Sequence, residues 1–244
     1  MATIDISNLS HTYPDGTRAL RGVSLRVPSG AALGIVGPNG AGKSTFVNHL
    51  NGYLLPGDGA IMIDDIPVAK RTRDRIRRAV GVVFQNADDQ LFMSRLYDDI
   101  AFGPRNLGLA ADVVAARVEA TMRDLGLWEL RDRAPFHLSQ GRKRFAAVAT
   151  VLVMRPEVIV MDEPTADLDP RNRRHLIQLV KNLTATRIIV SHDLDFVWDT
   201  CGQVVVLADG AIAAQGPAHQ LLADRELLER NGLELPLGLR IDDR

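Results

Sequence analysis

What this chain lacks narrows it first. No apolar run approaches the ~20 residues a membrane-spanning helix needs, so the chain is not expected to enter a bilayer by itself. Cys201 is the single cysteine, which excludes an intrachain disulfide and fits a reducing compartment. Its place just before an apolar run predicts a small buried side chain rather than a reactive thiol. Neither sign of charge is in excess: Lys and Arg total 29 against 30 Asp and Glu, a net charge of -1. A whole-chain basic footprint is therefore missing, and no nucleic-acid partner is expected. Arg71, Arg73, Arg75, Arg77 and Arg78 do cluster, and the plain explanation is a solvated helix face. The first residues include Asp5 and no basic-then-apolar export signal. Repeats, low-complexity segments and flexible linkers are also lacking. The 244 residues suffice for one large α/β domain, with or without an inserted subdomain.

What is present is organised around Gly37, Pro38, Asn39, Gly40, Ala41, Gly42, Lys43, Ser44 and Thr45. The small apolar run 31–36 before it reads as a buried strand, and Phe46 to Leu50 after it has helical apolar spacing. Strand, glycine loop and helix make the context of a phosphate-binding loop. Such a loop must turn tightly and bring backbone N–H groups close to oxygens, while the helix N-terminus presents partial positive charge. Lys43 can reach the β- and γ-phosphates of a nucleotide, and the Ser44 hydroxyl can ligate Mg²⁺.

The rest of the chain alternates strands and helices. Ile4, Ile6 and Leu9, then Leu20, Val23, Leu25 and Val27, read as strands around a Pro14-Asp15-Gly16 turn. Further strands are read at 60–63, 80–84, 158–161, 187–190, 203–207 and 211–215. Helices are read at 71–78, over much of 91–130, and at 142–154 and 171–183. In the second of these, Val113, Val114, Val118, Met122 and Leu125 mark the apolar face. Buried strands alternating with helices imply a mostly parallel sheet.

A parallel sheet gathers its strand ends at one edge, and three apolar runs here end in polar residues. Asp162 is placed to hold Mg²⁺, and Glu163 to polarise an attacking water as general base. Gln85 can bond that water or the metal, and His192 can contact a γ-phosphate. Tyr13, upstream of the loop, is the candidate for stacking on an adenine, with a strand-edge tyrosine as the plainer alternative. Singly, each of these residues has an ordinary explanation in loop polarity or helix capping. In this order after a phosphate loop they form one constellation.

That order, Tyr13, GPNGAGKST, Gln85, Leu138-Ser139-Gln140-Gly141-Arg142, VIVMDEPT, Ala166-Asp167-Leu168-Asp169 and Ser191-His192, resembles the ATPase subunit of ABC transporters from about residue 4 to 216. The resemblance implies an α/β fold: a P-loop, RecA-like, mostly parallel core with an N-terminal antiparallel β-subdomain and an inserted α-helical subdomain. It divides a single domain, 1–244, into β-subdomain plus core (about 1–85 and 155–216), helical subdomain (about 86–154) and a C-terminal helical tail (217–244). It implies ATP and Mg²⁺ as ligands, bound between two subunits arranged head to tail. Ser139 and Gly141 of one subunit would then meet the γ-phosphate held by the other, with Asp169 organising the contact. One departure stands out: the family signature L-S-G-G-Q is replaced by Leu138-Ser139-Gln140-Gly141-Arg142. Gln140 is expected to be strained wherever the lost glycine needs a positive φ, and to slow hydrolysis without abolishing it.

Other segments resemble the energy-coupling-factor branch of importers. They include Phe84-Gln85-Asn86-Ala87-Asp88-Asp89-Gln90-Leu91-Phe92 and Ile100-Ala101-Phe102-Gly103-Pro104. The resemblance implies integral membrane partners and a position on the cytoplasmic face of the membrane. A coupling helix of those partners would enter a groove lined by Leu91, Phe92, Leu96 and Tyr97, residues that would otherwise form subdomain core. Cobalt or nickel is the favoured solute, with biotin or another vitamin next. A soluble ABC-type ATPase acting on ribosomes or DNA is the alternative of another class; the tandem cassettes or long coiled-coil insertions usual there are not seen here. A P-loop kinase would not need Ser139-Gln140-Gly141 or the strand ending at His192.

Overall fold

The computed structural model describes residues 1–240. Positions 241–244 of the expected C-terminal tail lie outside the described residues. The chain opens with β1 (Ile4–Thr12), β2 (Arg18–Val27), β3 (Ala32–Val36) and helix α1 (Lys43–Leu50). Strands β4 (Asp58–Ile63) and β5 (Ile66–Pro67), helix α2 (Arg73–Ala79) and β6 (Val80–Val83) follow. Helices α3 (Leu96–Asn106), α4 (Ala111–Asp124) and α5 (Gln140–Leu152) come next, then β7 (Val158–Asp162), α6 (Pro170–Asn182), β8 (Thr186–Val190) and α7 (Leu194–Thr200). The chain then forms β9 (Gln203–Ala208), β10 (Ala211–Pro217), α8 (Ala218–Leu221) and α9 (Arg225–Arg230).

The strands make two sheets. One is antiparallel in the order β2-β1-β4-β5; the other runs β10-β9-β3-β8-β7-β6 and is parallel except at its β10 edge. Alternation along the parallel strands explains why both faces are dry. Ile35, Val160, Ile188, Val190, Val205 and Leu207 face a core shared with the antiparallel sheet and α1. Their neighbours Val36, Ile159, Met161, Ile189, Val204 and Val206 face a second core with α5, α6 and α7. Cys201 belongs to that second core and is buried, as its position predicts; burial pushes its thiol up to about 12.

A third core gathers Leu96, Ile100, Val114, Val118, Met122, Leu127 and Leu138. Helix α5 serves two cores at once: Ala147, Val148 and Val151 point to the sheet, and Ala146 and Ala149, with Val153 just past the helix end, to the third core. A helix pinched on both sides needs small residues, hence its alanines. Most of the arginine cluster is the solvated face expected: Arg71, Arg75, Arg77 and Arg78 are exposed, Arg73 is half-buried, and Ile76 and Ala79 are the buried residues of α2.

Some expectations require correction. Phe84 is not strand; β6 stops at Val83 and Phe84 is exposed. Val113 faces solvent, because α4 needs only Val114, Val118 and Met122 to fill the i, i+4 stripe. Leu91 and Leu96 are core residues, with Tyr97 packed against them, so of the proposed groove residues only Phe92 lies in a surface groove. Its other aromatic walls are Tyr53, Phe84 and Phe102, with Phe92 and Phe102 edge to face at 5.1 Å.

Candidate functional site

The register aligns the ends of the parallel strands. Val83 pairs with Met161, Asp162 with Val190, and Val190 with Ile35, so the polar residues that follow all emerge at one edge. The phosphate loop lies between β3 and α1 at that edge. Gly42 caps α1 in the left-handed region, φ 99°, without a side-chain cap, and a Cβ there would stand 2.3 Å from the Ala19 carbonyl oxygen. The first-turn N–H groups of α1 are therefore left for another acceptor. Lys43 folds back, its Nζ donating to the carbonyls of Gly37 at 2.7 Å and Pro38 at 2.9 Å. Burial lowers the Lys43 ammonium, and the charges of Glu163 and Asp162 work against that.

Asp162 ends β7. Burial and the neighbouring Glu163 charge push its carboxyl up to about 6, although Lys43 and Arg144 pull the other way. A half-buried Asp162 beside the buried Glu163, with one lysine near, suits a bound cation, and the Ser44 hydroxyl stands in the same cleft. Glu163 adopts a left-handed backbone, φ 46°, and donates its N–H to the Val190 carbonyl at 2.8 Å. Its buried carboxylate accepts the Ser191 hydroxyl and the His192 N–H, both at 3.1 Å. The His192 ring is largely exposed, with Nδ1 2.7 Å from Glu163 Oε2.

Tyr13, Gly37, Pro38, Asn39, Gly40, Lys43, Ser44, Thr45, Gln85, Asp162, Glu163 and His192 share one cleft of about 750 Å³. The Tyr13 hydroxyl bonds the Thr45 hydroxyl at 3.0 Å, which fixes the ring on the cleft wall. Ala41 is buried beneath the loop, its carbonyl accepting the Gly210 N–H at 3.2 Å. The cleft unites a cationic loop, a pair of acidic groups and an aromatic wall, the components a magnesium nucleotide requires.

Ser139, Gly141 and Asp169 lie elsewhere. Ser139 caps α5 without using its hydroxyl on the helix. Asp169 caps α6, accepting the Asn172 N–H and the Asn172 amide at 2.8 Å each. These hydrogen bonds hold the Asp169 carboxyl below its ordinary range. Gly141 is pressed against Asn172, whose Nδ2 would be 2.6 Å from a Cβ there. Ser139, Arg142 and Asp169 line a second cleft, and among the described residues none lines both. The expected strain at Gln140 is absent: it is the first residue of α5 and is not among the residues with positive φ.

Sequence reasoning missed the residues that hold the site together. The Arg144 guanidinium, buried in α5, donates to the carbonyls of Phe84 at 2.8 Å and Gln85 at 2.6 Å. Lys143 pairs with Asp88 at 2.7 Å, and the Gln90 amide donates to the Ala147 carbonyl and the Thr150 hydroxyl. The segment carrying Gln85 is thus tied to α5. Arg173 grips Asp193 through two bonds of 2.8 and 3.0 Å just after His192. A lysine and an arginine on the buried side of a predicted helix were the available signal.

Residues 20–166 match the family model described as ABC transporter. The chain is 47% identical over 237 residues to a Geobacter sulfurreducens protein provisionally named ABC transporter ATP-binding protein GSU1281, covering 97% of this chain and 95% of that one. It is 43% identical over 241 residues to the energy-coupling factor transporter ATP-binding protein EcfA of Carboxydothermus hydrogenoformans, covering 98% and 89%. Among solved structures it resembles CbiO1 of Clostridium perfringens, described as part of the ABC transporter complex CbiONQ. There the TM-score is 0.84, with 35% identity over 99% of this chain and 98% of that one. The chain belongs to the ABC transporter family, as a P-loop ATP-binding subunit that hydrolyses ATP.

Proposed function

We propose that this chain powers an energy-coupling-factor type importer, working as one of a pair of ATPase subunits on the cytoplasmic face of the membrane. The observation that carries the pairing is the separation of the two clefts: Lys43, Asp162 and Glu163 in one, Ser139 and Asp169 in the other. Each half-site has unused donors, the first turn of α1 and the Ser139 hydroxyl with the N-terminus of α5. Two copies arranged head to tail, or one copy and a close relative, join the halves around ATP.

Within that site Lys43 and the loop amides of 37–45 hold the β- and γ-phosphates, and Tyr13 packs on the adenine. Ser44, Asp162 and Gln85 would hold Mg²⁺, which would supply positive charge beside the phosphates. Glu163 orients the attacking water and takes its proton, and His192 and Gln85 keep water and γ-phosphate in line. Ser139 and Gly141 donate across the pair, and Asp169 sets the spacing of the two halves.

The importer branch is supported by the likeness to EcfA and CbiO1 over nearly the whole chain. It is also supported by the surface groove that gathers the exposed aromatics Tyr53, Phe84, Phe92 and Phe102, an apolar surface of the kind a helix of a membrane partner would cover. Among the described residues no helix is long and apolar enough to cross a membrane, so integral partners supply the pore. We assign the β-subdomain and core to about 1–85 and 155–216, the helical subdomain to about 86–154, and the tail to 217–244. Cobalt or nickel is the favoured solute, and biotin or another vitamin the next. Purification of the tagged chain from detergent-solubilised membranes tests the reading. Co-purifying integral proteins and loss of metal uptake on deletion are expected; recovery on ribosomes alone overturns it.

A further inference from the structure

The phosphate cleft has one wall that the nucleotide chemistry does not call for. After α9 the chain turns at Gly232, φ 70°, and passes so close to the phosphate loop that a Cβ on Gly232 would stand 3.7 Å from the Cβ of Pro38. Gly232 and Leu233 line the cleft that holds Lys43 and Glu163. Leu235, two residues on, is buried in the core beside the sheet. The segment then closes in a short 3₁₀ turn, Leu237–Leu239, whose start is pinned by one side chain. The Asp195 carboxylate accepts the Leu237 N–H at 2.8 Å and the Gly238 N–H at 3.0 Å. Arg240 folds back on the same segment, to the Leu235 carbonyl at 2.7 Å and to Glu234 at 2.7 Å.

Asp195 sits in the first turn of α7, where its charge suits the helix dipole, but it is not the cap of that helix. That helix is capped by Asp193, which accepts the Phe196 N–H at 2.9 Å. Among the described residues the Asp195 carboxylate accepts two hydrogen bonds from the C-terminal segment, and carboxylate bonds to backbone N–H are among the stronger kind. The geometry points to Asp195 as a positioning residue: it straps residues 232–238 against Pro38 and so holds the phosphate loop in its binding conformation. This rests on reading the cleft as the ATP site. The strap borders the loop that receives phosphate, and none of its own hydrogen bonds goes to Glu163, Ser191 or His192. Releasing it weakens nucleotide binding and spares the chemical step. Ordering the loop at the moment of binding costs conformational entropy that the strapped loop has already lost.

The test compares the full-length parent with Asp195→Ala and Asp195→Asn, the parent and both variants each co-purified with any membrane partners. For Asp195→Ala, KM for ATP and Kd for a fluorescent ATP analogue are expected to rise roughly tenfold, the effect of one charged hydrogen bond. Its kcat should stay within about twofold of the parent, since the groups assigned to the chemical step keep their places. Asp195→Asn keeps one acceptor oxygen and should fall between the two. Hydrogen exchange of the amides at 37–42 in the nucleotide-free protein should speed up in the alanine variant, and it reports directly on the loop. Parent-like affinity and exchange in both variants, with Lys43→Ala abolishing binding, overturn the strap and leave the ATP reading intact. A loss of kcat at unchanged KM also overturns it. Failure of the parent to bind the analogue overturns the ATP reading itself.

Discussion

Glu163 and His192 are joined twice: the His192 backbone N–H reaches the Glu163 carboxylate at 3.1 Å, and its Nδ1 lies 2.7 Å from Oε2. The Ser191 hydroxyl adds a third contact, and the left-handed backbone at Glu163 turns the carboxylate toward all of them. A strained backbone that aims one acid at the end of the neighbouring strand is a feature worth its cost only if the acid has a task.

Glu163→Gln tests that task. The amide keeps an acceptor oxygen for the His192 N–H and the Ser191 hydroxyl, so the local fold should hold. What it loses is proton affinity. Phosphate release is expected to drop by about 10²- to 10⁴-fold, the usual range for a general base. ATP should then drive the variant into a stable dimer on a sizing column. Turnover at the parent rate would remove Glu163 from the mechanism.

Asp162 makes the site pH-dependent. Its carboxyl is raised to about 6 from an ordinary 3.8, so the folded protein holds that proton more tightly than the unfolded chain does. This contribution to stability is complete below 3.8 and is lost as pH rises through about 6. Above that, the protein carries an ionised, desolvated carboxylate, a cost that a cation removes. If Asp162 holds Mg²⁺ as proposed, the ion would have to displace a proton below pH about 6 and none above it. Calorimetry with Mg²⁺ at constant ADP should show affinity climbing up to tenfold per pH unit toward 6, then levelling. An equally steep slope in Asp162→Asn would assign the effect to another group.

Arg144 holds the segment that carries Gln85. Arg144→Met keeps the buried stem and strands two carbonyls, so a loss of roughly 2–4 kcal/mol is expected from two charge-assisted bonds. Urea unfolding at constant m-value measures it. Hydrolysis should weaken along with stability, because Gln85 loses its anchor. Arg144→Lys can restore one of the two bonds and should recover part of both. An unchanged midpoint in Arg144→Met would show that Lys143 and Gln90 suffice.

The residues in question divide by how local their signal is. The phosphate loop, the two acids at the end of β7 and the histidine after β8 were legible as neighbours, because strand-end positions of a parallel sheet gather at one edge, and they do share one cleft. The parallel sheet was legible for a similar reason: apolar runs such as Val158 to Met161, buried on both faces, leave no other reading. Leu91 and Leu96 misled because an apolar residue in a helical stretch looks alike whether it faces a subdomain core or an external groove. Arg144, and the placing of Gly232 beside Pro38, depend on pairs 60 and nearly 200 positions apart, which no local pattern encodes.

The signature departure bears on the joined site. Gln140 begins α5 in an ordinary helical conformation, so its cost is not backbone strain. What it adds is an exposed side chain at a helix N-terminus whose unused donors face the second cleft. Arg142, in the same first turn, sets a cation against the positive end of the helix dipole, unfavourable by about 0.3–1 kcal/mol. In the proposed pair that penalty would be relieved when triphosphate arrives from the other subunit, so Arg142 should favour the closed pair while Gln140 should obstruct its approach. Gln140→Gly should therefore raise kcat by giving the phosphate direct access to the backbone. Adding Arg142→Gln should speed reopening and raise turnover further, with weaker ATP-dependent dimerisation. Steady-state ATPase and sedimentation of the single and double variants separate the two effects. A fall in kcat in Gln140→Gly would mean that the glutamine side chain itself contacts the nucleotide.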